Sequence, residues 1–194
     1  MNRLFFYALI INGICTSQEF NAGIIAGINT SQVSGDNLAG FNKLGTKSGV
    51  FINTMIHKFI GQLELQYINK GSRERVDEND YNEGYKFQLN YAEIPLTIKV
   101  NTYKNTFIEF GLSLAYLLKS YEKINGYEEF GLKVNKYEYS THIGIDYLIK
   151  ERLVLNTRIS NSILPIRKHS SGQVYRWNKG QYNTSISFVF YYYL

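Results

Sequence analysis

Apolar and polar residues alternate with a period of two along most of the chain, which is the pattern of strands with one apolar face. The clearest example is the segment Phe107 to Leu118, in which every second residue from Ile108 onward is apolar. The intervening positions carry small or polar residues such as Glu109 and Gly111. Helical periodicity is scarce, so the pattern predicts an all-β chain.

The same alternation predicts eight strands, over residues 20–31, 47–56, 61–70, 86–100, 106–119, 137–149, 152–163 and 182–194. The connections after the second, fourth and sixth predicted strands are short. Those after the first, third, fifth and seventh are long and polar, over residues 32–46, 71–85, 120–136 and 164–181. Such long loops are uncommon in compact soluble domains. Short turns at one end and long loops at the other are typical of outer-membrane barrels.

The residues opposite the apolar faces distinguish a membrane barrel from a soluble one. A soluble barrel encloses its apolar face, whereas a membrane barrel turns that face to lipid. The opposite faces hold Gly, Ser, Asn and charges such as Glu109 and Arg158, which suit the narrow interior of eight strands. We therefore predict an eight-stranded antiparallel up-and-down transmembrane β-barrel with short periplasmic turns and long outer loops. A soluble secreted ligand-binding β-barrel is the alternative.

Charged residues recur on the faces assigned to the interior. Because an isolated buried ion is costly, these charges should pair with one another and plug the barrel. The same assignment turns Phe87, Leu89 and Tyr91 inward, so we expect these three above the bilayer or beside a bulge, and Pro95 should interrupt the strand ladder. The predicted lumenal charge network consists of Glu64, Glu93, Lys99, Glu109, Asp146 and Arg158.

Composition supports a membrane location without a membrane helix. No run of 18 uncharged apolar residues occurs, which excludes a transmembrane helix. Tyrosine is abundant, with 17 residues, and its ring favours the boundary between lipid and water. We expect aromatic girdles from the tyrosines near predicted strand ends, which are Tyr67, Tyr91, Tyr103, Tyr116, Tyr121, Tyr137, Tyr147 and Tyr182.

The first 17 residues have the features of a secretory signal peptide. Arg3 precedes an apolar run, and the small residues Cys15 and Ser17 precede a polar pair. Cleavage after Ser17 leaves residues 18–194 as one outer-membrane β-barrel domain and removes the only cysteine, which excludes disulfides and a thiol nucleophile. The formal net charge is +5, but the basic residues are scattered, so we predict no nucleic-acid partner.

Two of the long loops are strongly charged. The second carries Asp77, Glu78, Asp80 and Glu83 without the ordered ligand spacing of a calcium site, so we predict no metal and no cofactor. The fourth is basic, and we expect its residues at the outer surface, where they can meet lipopolysaccharide phosphates or a protein partner beside the outer-membrane lipid. These residues are Arg167, Lys168, Arg176, Trp177 and Lys179.

Ser140, His142 and Asp146 share one face of the sixth predicted strand and offer a hydroxyl, a base and an acid. Residues two apart on a strand are separated by about 6.5–7 Å, too far for the nucleophile-to-base contact of about 3 Å. Their face also points away from lipid. We therefore predict that the protein is not an enzyme, with an outer-membrane lipid-modifying enzyme as the less favoured alternative.

Three segments carry a shared sequence pattern: the hairpin of residues 48–52 and 62–71, the strand 91–99 with Glu93-Ile94-Pro95-Leu96, and residues 153–160. Together they resemble the outer-membrane β-barrel family of Bacteroidetes that includes the PorT-like proteins, and the second segment is similar to the family's "YLEIPLLLK" strand. Two departures are Gln62, where the family often has proline, and Ile159, in place of an aromatic residue. The resemblance implies an outer-membrane barrel, and a shared fold does not by itself transfer the secretion role of the best-known member. We predict a non-enzymatic barrel with a structural, interaction or secretion-accessory role.

Overall fold

The computed structural model describes residues 19–36, 38, 40–75, 84–129, 131–169 and 179–194, so the predicted signal peptide lies outside the described residues. In this part of the chain, no helix is long and apolar enough to cross a membrane. The strands are β1 (Phe20–Ser34), β2 (Lys43–Ile56), β3 (Phe59–Arg73), β4 (Tyr85–Tyr103), β5 (Thr106–Ile124), β6 (Tyr127–Glu129), β7 (Tyr137–Lys150), β8 (Leu153–Ser162) and β9 (Tyr182–Tyr193).

Eight of these strands close into an antiparallel barrel. Their order is β4-β3-β2-β1-β9-β8-β7-β5, and pairing between β4 and β5 completes the ring. The first and last strands join along a register that runs from Gly23 opposite Tyr193 to Ser34 opposite Tyr182. The short β6 only extends a hairpin beside β5. The predicted eight-stranded up-and-down barrel is confirmed.

The two ends of the barrel differ in their connections. One end, the turn end, carries the connections 57–58, 104–105 and 151–152. The other, the loop end, carries residues 35–42, 74–84, 125–136 and 163–181. The strands extend further at the loop end than the alternation predicts, with β2 beginning at Lys43 and β3 continuing to Arg73. Most outward residues there, such as Thr46 and Arg73, are polar, so the alternation fades while the backbone pairing continues.

The outside of the barrel is apolar over its middle. On the outward face of β5, Phe110 and Leu112 are 53% and 60% exposed, whereas Glu109 between Ile108 and Phe110 is fully buried. Other strands show the same arrangement, with Leu63 and Leu65 of β3 and further aliphatic residues outward. An apolar exterior around buried charges is what lipid requires of a spanning barrel. The alternative of a soluble barrel with an apolar interior is therefore wrong.

Apolar side chains also pack inside the barrel toward both ends, and the predicted polar filling did not include those at the turn end. Toward the turn end, Phe51 packs edge-on against Tyr191 at 5.2 Å between ring centroids. Toward the loop end, Phe87, Leu89 and Tyr91 form a cap with Val33 and other buried residues. Tyr91 therefore belongs to the interior and not to an aromatic girdle.

Strand β4 contains the irregularities expected from its sequence. Its register with β5 shifts between Asn90 and Tyr91, beside the inward-facing cap residues. Its register with β3 passes from Leu63 opposite Leu96 to Gln66 opposite Glu93, leaving a gap at Pro95. Proline cannot donate a ladder hydrogen bond, which explains the position of the gap. The cap residues lie inside the barrel toward the loop end, beside the bulge that was expected near them.

Candidate functional site

Arg158, on β8, lies at the centre of a buried ion network. Its Nη2 is 2.7 Å from Glu64 Oε1 on β3, and its Nε is 2.6 Å from Glu109 Oε1 on β5. The guanidinium makes two hydrogen bonds to each carboxylate, which is the bidentate geometry that favours arginine over lysine. The hydroxyl of Tyr191, on β9, donates to Glu64 Oε1 at 3.0 Å. The side chain of Arg158 thus links β8 to β3 and β5 through the interior of the barrel.

The network continues toward the turn end through a second cation. Lys99 Nζ is 2.5 Å from Asp146 Oδ2 and 3.7 Å from Glu109 Oε2. Asn156 donates to both Glu109 Oε1 and Asp146 Oδ1, at 2.8 and 2.6 Å. Buried charges are tolerated when they are paired and their remaining lone pairs are hydrogen-bonded, and this arrangement meets both conditions. We refer to Glu64, Lys99, Glu109, Asp146, Asn156, Arg158 and Tyr191 as the central cluster.

The sixth predicted lumenal charge, Glu93, belongs to a separate group nearer the loop end. Lys70 Nζ lies 3.3 Å from Glu93 Oε2 and 2.8 Å from Glu138 Oε1. Asn183 Nδ2 donates to the other oxygen of Glu138 at 2.5 Å. These four residues form the upper cluster. The structure thus brings five of the six predicted charges together and places Glu93 with new partners.

The predicted network did not include the interior charges Lys47, Lys70 and Glu138. All three are buried. Lys70 shares its strand face with Glu64, and Glu138 shares its face with Asp146, so the period of two contained the signal for both. Lys47, on β2, approaches Ser187 Oγ at 3.4 Å.

The hydroxyl, imidazole and carboxylate of β7 have separate partners. Ser140 Oγ lies 2.8 Å from Ser113 Oγ, and His142 Nε2 lies 2.9 Å from Thr97 Oγ1. Asp146 is paired with Lys99 in the central cluster. Each group is used in a different lumenal contact, so the three do not form a catalytic arrangement.

Arg167 is buried, which corrects its prediction as an outer-loop surface residue. Its side chain is 6% exposed and its Nη1 lies 2.6 Å from Glu122 Oε2. Nε donates to Gln181 Oε1 at 2.5 Å, and the guanidinium carbon is 4.1 Å from the ring centroid of Phe87. Arg167 therefore packs on the apolar cap and fastens the last long connection to β5.

The contact with Arg167 changes the acidity of Glu122. Burial alone would raise the pKa of this carboxyl, but hydrogen bonds from Arg167 and Tyr85 lower it overall. Because the folded-state pKa is below the unfolded value, this contact stabilises the fold at neutral pH. The stabilisation is lost as the pH falls through the pKa values of the carboxyl.

We expect Arg167→Ala to lower the free energy of unfolding by about 1–3 kcal/mol, the usual cost of leaving a charged hydrogen-bonding group without its partner. The measurement is the temperature at which the folded, fast-migrating gel band is lost. Lys168→Ala is the control, because Lys168 is the exposed neighbour. If both variants lose the folded band at the same temperature as the parent, the ion pair between Arg167 and Glu122 does not stabilise the barrel.

The remaining loop predictions fall partly outside the described residues. Lys168 and Lys179 are exposed, as expected of outer-loop residues. Arg176 and Trp177, like the acidic residues from Asp77 to Glu83, lie outside the part of the chain that the structure describes. Within that part, no group of three or more His, Cys, Asp or Glu side chains is arranged to hold a metal ion.

Comparison with known proteins agrees with the barrel geometry. Neisserial surface protein A superposes with a TM-score of 0.58 at 10% identity, covering 91% of this chain and 99% of that one. The attachment invasion locus protein Ail of Yersinia pestis gives a TM-score of 0.54 at 11% identity, with the same coverage. No curated protein matches the chain. Residues 16–167 match the family described as "Outer membrane protein beta-barrel domain", and the chain belongs to this family.

Proposed function

We propose that the protein is a non-enzymatic outer-membrane barrel with a plugged polar lumen, which acts as a structural or interaction protein through its loop end. The family supports an outer-membrane location. In this proposal a signal peptide is cleaved after Ser17, the turn end is periplasmic and the loop end faces outward. The lumenal charges Glu64, Glu93, Lys99, Glu109, Asp146 and Arg158 serve to close the barrel and not to conduct.

The filled interior is the observation that carries the proposal. The central and upper clusters occupy the lumen between the two apolar ends, with side chains that contact one another across the barrel. A cavity lined by residues of both clusters, including Glu93 and Arg158, measures about 10 Å³. That is about the least volume that holds one water molecule. A continuous aqueous path would need far more space.

Exposed basic residues support a loop-end interaction with an anionic partner, such as lipopolysaccharide. Lys168 and Lys179 lie at the surface there. The Yersinia protein Ail has been solved in complex with the heparin analogue sucrose octasulfate, at a TM-score of 0.52 to this chain. A second proposed role is secretion accessory, as in PorT-like proteins of Bacteroidetes, and it rests on the resemblance of the segment Glu93 to Leu96.

We expect the purified protein to show no steady ion conductance in planar bilayers, because the ion pairs and the apolar cap leave no open channel. A porin inserted in parallel is the positive control for incorporation. The protein should also fractionate with outer membranes and need detergent for extraction. A reproducible open pore would refute the plug, and recovery in the detergent-free periplasmic fraction would refute the location.

A further inference from the structure

The outward faces of β3, β4 and β5 are aligned in four rows above the apolar belt. Each row consists of directly opposed residues on the three strands, and successive rows are about 6.5–7 Å apart. The rows, from the belt upward, are Tyr67, Ala92 and Tyr116; Asn69, Asn90 and Lys119; Gly71, Gln88 and Tyr121; and Arg73, Lys86 and Lys123.

The top row places three cations directly opposite one another. Like charges in this arrangement destabilise a sheet unless an anion neutralises them. Among the described residues, Arg73, Lys86 and Lys123 form no ion pair. Two carboxylates lie nearby but neither pairs with these cations. Glu74 accepts a hydrogen bond from the backbone of Tyr85, and Glu128 stands opposite Lys123 on β6 without forming an ion pair. The row is therefore a cationic surface suited to an external anion.

An apolar groove lies below the same rows. It measures about 320 Å³ and is lined mainly by outward aliphatic residues of β2, β3 and β4 beside the ladder gap at Pro95. Its outward lining residues are Val50, Ile52, Leu63, Leu65 and Ile94. One face of the barrel thus presents an apolar groove, then amides and a tyrosine hydroxyl, and finally three cations.

We propose that this face binds a phosphorylated glycolipid of the outer leaflet, with an acyl chain in the groove and phosphates against Arg73, Lys86 and Lys123. The proposal rests on the outward orientation of the loop end in the proposed function. The polar rows between groove and cations carry the half-buried amides of Asn90 and Gln88 and the hydroxyl of Tyr121, which suit the hydroxyls of sugars. Arginine and lysine suit the phosphates.

The height of the cation row favours a glycolipid over a simple phospholipid. Arg73 lies six positions after Tyr67, a distance of about 20 Å along the strand. For a strand tilted by about 40°, this corresponds to about 15 Å along the membrane normal. The headgroup region of an ordinary bilayer adds only about 5–8 Å on each side. A phosphate carried on a head of several sugars reaches the row, and a glycerophospholipid phosphate does not.

The test measures the Kd of the detergent-solubilised protein for immobilised lipopolysaccharide. We expect R73Q/K86Q/K123Q to bind roughly 100-fold more weakly than the parent, about fivefold for each charge removed. The matched control K58Q/K150Q/R152Q removes the same charges from exposed positions at the turn end and should bind like the parent. Dephosphorylated lipopolysaccharide should compete poorly. Both triple variants must keep the fast-migrating folded band. If R73Q/K86Q/K123Q does not fold, the single variant Lys86→Gln is tested in its place, with an expected fivefold loss of binding.

Three results would overturn the proposal. Equal binding by R73Q/K86Q/K123Q and the parent would show that the row is not the site, for instance because the acidic loop at residues 76–83 neutralises it. Equal competition by dephosphorylated lipopolysaccharide would show that phosphate is not recognised. Displacement by inorganic phosphate at equal concentration would indicate a site for free anions. None of these outcomes changes the bilayer conductance, so a failure here is distinct from a failure of the plugged barrel.

Discussion

Replacing Arg158 by alanine should lower the free energy of unfolding by about 3–5 kcal/mol, the cost of breaking a buried pair by removing one partner. The change leaves the carboxylates of Glu64 and Glu109 in the lumen without the guanidinium that bonds both of them. Lys99 remains near Glu109, at 3.7 Å, but forms no ion pair with Glu64 and cannot replace the bidentate contacts. The measurement is the temperature at which the folded gel band of the detergent-solubilised protein is lost.

Lys168→Ala is the appropriate control for Arg158→Ala, since it also removes one cation but from an exposed position. Arg158→Lys separates charge from geometry. Lysine keeps the charge and loses the planar fork, so we expect a partial loss of stability between those of alanine and the parent. If Arg158→Ala and Lys168→Ala both melt with the parent, the ion network does not contribute to stability.

Gly144→Ala should destabilise the barrel by about 1–3 kcal/mol through overpacking. Gly144 lies between Glu109 and Arg158, directly opposite each of them on the adjoining strands. A Cβ atom at this position would be 2.5 Å from Glu109 Oε1 and 2.7 Å from the backbone oxygen of Thr157. The carboxylate must move away from its guanidinium partner, so a single methyl group disturbs the central cluster.

Gly61→Ala is the matched control for Gly144→Ala. At Gly61 the nearest atom to an added Cβ is the flexible end of Ile56, at 3.3 Å. The same substitution there should leave the unfolding temperature within a few degrees of the parent, because the side chain of Ile56 can move. A drop of equal size in both variants would mean that glycine is needed for a general property of the strands and not for space beside Glu109.

The period of two was sufficient to predict which side chains face inward. It places Glu64, Lys99, Glu109, Asp146 and Arg158 on interior faces, and the structure brings these five together. Alternation fixes the side of a strand because a shift of one residue would turn every apolar group inward. The alternation does not determine which residues of neighbouring strands lie opposite one another. The pairing of Glu93 with Lys70 therefore did not follow from the pattern.

Features at the loop end were less accessible from the sequence. Outward residues there are polar, so strand and loop have similar composition and the ends of β2, β3 and β5 were predicted too short. One local signal was overlooked: Asn125-Gly126, both with positive φ, forms the turn between β5 and β6 and is a common hairpin sequence. The burial of Arg167 depends on Glu122, 45 residues away, and no local pattern encodes such a contact.

The central cluster also has a consequence for how the chain assembles. Arg158 meets Glu64 across 94 residues of sequence and Glu109 across 49, so no isolated hairpin contains the complete set of partners. A partly formed sheet would expose unpaired charges at membrane depth, which lipid strongly disfavours. The interior charges can therefore be paired only when the barrel wall closes, so the two steps occur together. Insertion into the bilayer should be cooperative, with partial barrels too costly to accumulate.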